Sequence, residues 1–98
     1  MIIILGHATV SPQHLDEALR ISQAHVARSR LEPGCLAHGV SRDADHPARL
    51  VFVEKWADMA AVQTHFAVPA SREFAKALHK LSTEKNTIEL YNSEIIII

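Results

Sequence analysis

Between Leu50 and Trp56 the chain reads Leu-Val-Phe-Val-Glu-Lys-Trp, and the turn cluster Asp43-Ala44-Asp45-His46-Pro47 separates this run from a second extended stretch, Cys35 to Arg42. Runs of β-branched and aromatic residues bounded by Asp and Pro mark strands. The connection is far too short for the crossover that parallel strands need, so the two runs pair as an antiparallel hairpin. Every other element must pack around that ribbon.

Upstream, Met1 to Val10 is apolar and β-branched, which predicts a strand buried on both faces. Ser11-Pro12 supplies a helix cap and a proline at the first helical position. Leu15, Ala18, Leu19, Ser22 and Val26 then recur at helical spacing, and Glu32-Pro33-Gly34 ends the helix. Downstream, Asp58 is placed to cap a short helix with Met59, Val62 and Phe66 on its inner side. Pro69 opens another, with Phe74, Ala77, Leu78 and Leu81 in register. Lys85 to Ile98 predicts a closing strand that includes Ile95 to Ile98.

The predicted order is β-α-β-β-α-α-β. This is the α+β, ferredoxin-like split βαβ plan, with a four-stranded antiparallel sheet in one domain over residues 1–98. Helices cover one sheet face. Ile3, Leu5, Val51 and Val53 fall on the other, which predicts a homodimer that covers it.

Charge narrows the partners. With a net charge of −1 and no dense Lys/Arg cluster, neither nucleic acid nor an anionic membrane surface is expected. The apolar start is short, lacks a basic flank and is broken at Gly6-His7, unlike a signal peptide. The single cysteine, Cys35, excludes an internal disulfide, and the cytoplasm is the expected compartment.

The candidate site gathers around the end of the hairpin. Glu54 and Trp56 point the same way because strand side chains alternate. A short helix after Asp58 brings His65 back over that face. An acid, an indole and an imidazole around an apolar hollow suit an aromatic ligand, with Phe52, Val62 and Phe66 as further walls. His65 is the best base, because an ordinary imidazole titrates near neutral pH; its alternative is a helix-end histidine bonded to a carbonyl. Trp56 is either a ligand platform or core. Glu54, if buried, needs a partner, and Arg49, Lys76 and His65 are the candidates. The seven histidines show no paired ligand spacing, so no metal is expected. His7 and His38 could meet across neighbouring strands, without an evident third ligand. With no phosphate-binding glycine loop either, no cofactor is expected.

The pattern Glu32-Pro33-Gly34-Cys35, a hairpin, Glu54-Lys55-Trp56-Ala57-Asp58, then His65-Phe66 and Pro69 resembles the antibiotic biosynthesis monooxygenase family over most of the chain. The resemblance implies a dimeric α/β barrel, a pocket between sheet and helices, and cofactor-independent oxidation of a phenolic or quinol-type aromatic by O2. His65 stands where that family carries a histidine. Anthrone-oxidising relatives carry an asparagine where this chain has Phe52. Haem-degrading relatives use an asparagine and a tryptophan where it has Gly6 and His65. A dimeric ligand-binding protein without turnover, and a pure dimerisation module with a filled core, are the competing readings.

Overall fold

The computed structural model describes residues 1–98. Strand β1 spans Ile2–Thr9, a short 3-10 turn covers Pro12–His14, and helix α1 runs Leu15–Ser29. Strands β2 (Cys35–Arg42) and β3 (Arg49–Trp56) form the hairpin. Helices α2 (Met59–Ala67) and α3 (Pro69–Leu81) lead to strand β4 (Thr87–Asn92). The sheet order is β2-β3-β1-β4 and every pairing is antiparallel, the ferredoxin-like plan. The sheet is open, with β2 and β4 as edges, so one chain alone does not close the expected barrel.

Local chemistry explains the boundaries. The Asp58 carboxylate accepts a hydrogen bond from the Ala61 backbone N–H at 2.9 Å and caps α2. Pro69 opens α3, where a missing N–H costs nothing. Ser11 makes no capping bond to backbone; its hydroxyl pairs with His14 Nδ1 at 2.9 Å. Gly34 takes a positive φ of 84°, and a Cβ built there would lie 2.6 Å from Ala61 Cβ. Only glycine permits both the turn and this close approach to α2. The approach matters for function, because it sets Glu32 beneath the last turn of that helix.

Two expectations from sequence are corrected. Strand β1 is buried on one face only: Ile2, Ile4 and Ala8 are in the core while Leu5 is exposed. The last strand stops at Asn92, which pairs with Ile2 at the start of β1. The Ser93 N–H still bonds Met1 O at 2.9 Å, and beyond it β1 offers no further partner. Ile95 to Ile98 are therefore outside the sheet and exposed, despite their strand-like composition.

Two apolar clusters fill the space between sheet and helices. One joins Ala8, Val10, Ala18, Leu50, Phe52 and Leu78. The other joins Ile2, Ile4, Trp56 and Val62. Along β3 the inner residues run Leu50, Phe52, Glu54, Trp56, so the one inward carboxylate sits where the clusters part. No helix is long and apolar enough to cross a membrane.

Candidate functional site

Glu54 cannot stay buried unpaired. Its Oε1 accepts the Trp56 indole N–H at 2.9 Å. His38 Nε2 lies 3.2 Å away and His65 Nε2 3.9 Å away. The His38 contact is close enough for an ion pair but not aligned as a hydrogen bond. Burial alone would raise the Glu54 pKa; His38, the indole N–H and His65 outweigh it and hold the carboxyl below its ordinary value. Neither Arg49 nor Lys76 is its partner. Arg49 pairs with Glu84 at 3.3 Å.

His65 ends on the inner side of α2 and is 3% exposed. Its Nδ1 is 2.9 Å from Glu32 Oε1. A carboxylate only accepts, so Nδ1 donates and, in the neutral ring, Nε2 keeps its lone pair and faces Glu54. Trp56 backs the ring at a centroid distance of 4.6 Å. Glu32, which the spacing of the sequence does not point to, is thus the residue that orients His65. Thirty-three residues separate it from His65.

Two further histidines complete the cluster. His25, on α1, stacks on Phe74 with ring centroids 4.0 Å apart and planes 8° from parallel. His38 reaches in from β2. The two are 5% and 4% exposed. One ring nitrogen from each of His25, His38 and His65 lies within 4.8 Å of the others. Burial, then His38 and His65, push the His25 pKa down to about 3. The expected meeting of His7 and His38 does not occur: β3 lies between their strands, and they point to opposite sheet faces. Three histidines do gather, which their spacing in sequence did not reveal. Burial, followed by Glu54 and Glu32, raises the Cys35 thiol pKa, so the one cysteine is not an activated nucleophile.

A cavity of about 390 Å³ opens beside this cluster, within the size range of small-molecule sites. Ile4, Phe52 and Glu54 line its sheet side; Phe74 and Leu78 of α3 face them. His65, His25 and Phe66 also line it, and Arg72 and Ile88 contribute exposed side chains. Of the residues singled out from sequence, Glu54, Phe52, His65 and Phe66 meet here. Trp56 and Val62 do not border the cavity. Both are fully buried in the cluster behind it, so Trp56 is a wall for His65 and not a ligand platform. The space between sheet and helices is thus not filled by side chains alone.

The sequence model of the antibiotic biosynthesis monooxygenase family matches residues 1–77. A crystal structure of a candidate antibiotic biosynthesis monooxygenase from Deinococcus radiodurans is 28% identical, with a TM-score of 0.94 and coverage of 100% of this chain and 97% of that one. A crystal structure of an antibiotic biosynthesis monooxygenase is 25% identical, with a TM-score of 0.89, covering 97% of this chain and all of that one. An uncharacterised protein of Synechocystis is 30% identical over 90 residues, which cover 92% of this chain but 61% of that protein. The chain therefore spans less than two thirds of that relative's length. The inward Glu54, the histidine on α2 and the cavity between sheet and helices sit on the element order of these structures, and the chain belongs to the antibiotic biosynthesis monooxygenase family.

Proposed function

We propose that the protein is a small monooxygenase that oxidises a phenolic or quinol-type aromatic with O2, the substrate supplying all the electrons. The observation that carries this reading is the Glu32–His65 contact at 2.9 Å, which leaves Nε2 as a proton acceptor beside an apolar cavity. A hydroquinone is a poor reductant until it loses a proton, so a positioned base is what the reaction needs most. His65 Nε2 takes that proton, with Glu32 and Glu54 on either side of the imidazolium. The phenolate gives an electron to O2, and the two radicals join through a new C–O bond. The proton returns to the hydroperoxide. Loss of water breaks the O–O bond and leaves a hydroxyquinone. Hydroquinone plus O2 thus yields hydroxyquinone plus water, with no outside reductant. Phe52, Phe74 and Leu78 keep the site dry, which strengthens each polar contact within it.

Oxygen uptake with a panel of hydroquinones, with chelator present, tests this. His65→Gln is expected to lower turnover by about 10²–10⁴-fold, the range for a lost general base. Glu32→Gln should fall between, because it frees the ring without removing it. Hydroquinone binding without oxygen uptake would favour a ligand-binding protein. Wild-type turnover in His65→Gln would place the base elsewhere.

We further propose that a second copy covers the outer sheet face. Ile3 and Val51 are half-buried there, and Leu5, Val53 and Tyr91 are exposed. Such a contiguous apolar face suits an isologous contact between identical chains. Val53→Asp is expected to give monomers or insoluble protein, because the carboxylate would be buried unpaired. A monomeric wild-type protein in light scattering at micromolar concentration would refute the dimer.

A further inference from the structure

Three buried imidazoles that share no hydrogen bonds with one another are an unusual core. His25 Nδ1 and both ring nitrogens of His38 are buried without a hydrogen-bonding partner. A buried polar group is costly if nothing satisfies it. Stacking explains where His25 lies but leaves its Nδ1 unmet. We propose that His25, His38 and His65, with Glu54 as fourth donor, form a binding site for a divalent transition-metal ion of the Zn²⁺ or Co²⁺ class.

The donor set suits that class. Neutral imidazoles with one carboxylate are the usual ligands of borderline ions. A hard cation such as Mg²⁺ would require oxygen ligands and retained waters, which this cluster does not offer. Distances support it as well. Donors at about 2.0–2.2 Å from a tetrahedral ion stand roughly 3.3–3.5 Å from one another. Glu54 Oε1 already lies 3.2 Å from His38 Nε2 and 3.9 Å from His65 Nε2. The three imidazole donors lie within 4.8 Å of one another while Glu54 stands outside that group, so closing the set requires rotation of the histidines, held on three separate elements, and of the Glu54 carboxylate towards them.

The outer shell is also present. A ligating histidine commonly donates its second N–H to a carboxylate, which fixes the tautomer and the ring plane. Glu32 does this for His65 at 2.9 Å. Charge then balances: a dication with Glu54 bound and Glu32 behind His65 leaves no net charge among them. That balance matters, because buried charge is tolerated only when compensated. An ion here also takes the Nε2 lone pair that the oxygenase reading assigns to the proton. The two occupancies exclude each other, yet the metal site does not rest on the oxygenase reading.

Titration of chelator-stripped protein with Co²⁺ alone decides the matter. The expected result is one ion per chain, with the intense visible bands of four-coordinate Co²⁺, displaced by Zn²⁺. His38→Gln should abolish the bands, and Glu32→Gln should weaken affinity by about 10–100-fold as an outer-shell change. His79→Gln, exposed on α3, should bind as wild type. Zn²⁺ should raise the Tm of wild type and of His79→Gln but not of His38→Gln. If His38→Gln does not fold, the Glu32→Gln series carries the test alone. Weak six-coordinate spectra, no bands, or unchanged affinity in Glu32→Gln or in a folded His38→Gln would overturn the site. None of these readouts uses substrate, so the site and the oxygenase reading fail separately.

Discussion

Trp56→Ala should cost about 4 kcal/mol, in the range for emptying a large aromatic site. For a domain of this size that lowers Tm by on the order of 20 °C. The cost has two sources. Trp56 is wholly buried against Ile2, Ile4 and Val62, so a cavity opens. Its N–H also donates to Glu54 at 2.9 Å, and hydrogen bonds to a charged acceptor contribute about 1.5–3 kcal/mol. Trp56→Phe separates the two, since it keeps most of the volume and removes the donor. It should cost about 2 kcal/mol. Chemical denaturation of both variants checks the ledger. Losses below about 1 kcal/mol in each would show that the indole is not what holds this end of the sheet. Trp56 does not border the cavity, so ligand affinity in Trp56→Phe should fall less than stability does.

Acid should weaken the fold well before its carboxylates protonate in bulk. The His25 pKa is pushed down to about 3 from an ordinary 6.5. Between those values the unfolded chain binds a proton that the folded chain refuses, so stability rises with pH across that window. The contribution is complete above the ordinary value and is lost as pH falls towards the folded one. At about 1.4 kcal/mol for each tenfold change in proton affinity, going from pH 7 to pH 4 costs on the order of 3 kcal/mol. The groups that face His25 set this balance. His38 and His65 disfavour its cation, as does Arg28 on the same helix, while Glu54 favours it. Glu54 acts with the same sign at lower pH, because its own depressed pKa makes the folded state lose stability on protonation. Urea denaturation at pH 7, 5.5 and 4, with chelator present, measures the slope. His25→Phe keeps a ring for Phe74 to stack on and removes the titration, so its slope should be shallower by about that amount. Equal slopes for the two proteins would show that His25 is not the acid-sensitive group.

The hairpin, the helix order and the Asp58 cap were legible because each depends on neighbours close in the chain. Alternation along β3 put Glu54 and Trp56 on one face, and α2 returned His65 to them. His25 was half legible: it lies on the buried stripe of α1 that Ala18, Ser22 and Val26 define. Its neighbours on other elements were not. Glu32 reaches His65 only through the Gly34 turn against α2, a contact that no spacing rule encodes. The tetra-isoleucine tail failed as a strand because propensity cannot supply an absent partner.

His38 was hidden for a different reason. The pairing of β2 with β3 shifts between Cys35 and Ala37, a β-bulge. Simple alternation from Cys35 would turn Ala37 inward and His38 outward; the extra residue reverses the phase, and His38 is buried opposite Glu54. The bulge absorbs Leu36, so that Cys35 stays opposite Trp56 while His38 stays opposite Glu54. Removing Leu36 would straighten the ladder and leave both pairings as they are, because the register is held from the hairpin end, where Arg42 faces Leu50. A one-residue insertion or deletion at this corner can thus be taken up by the bulge while the inward residues of β2 keep their partners. A gap placed carelessly there when two such chains are aligned would equate an inward side chain with an outward one.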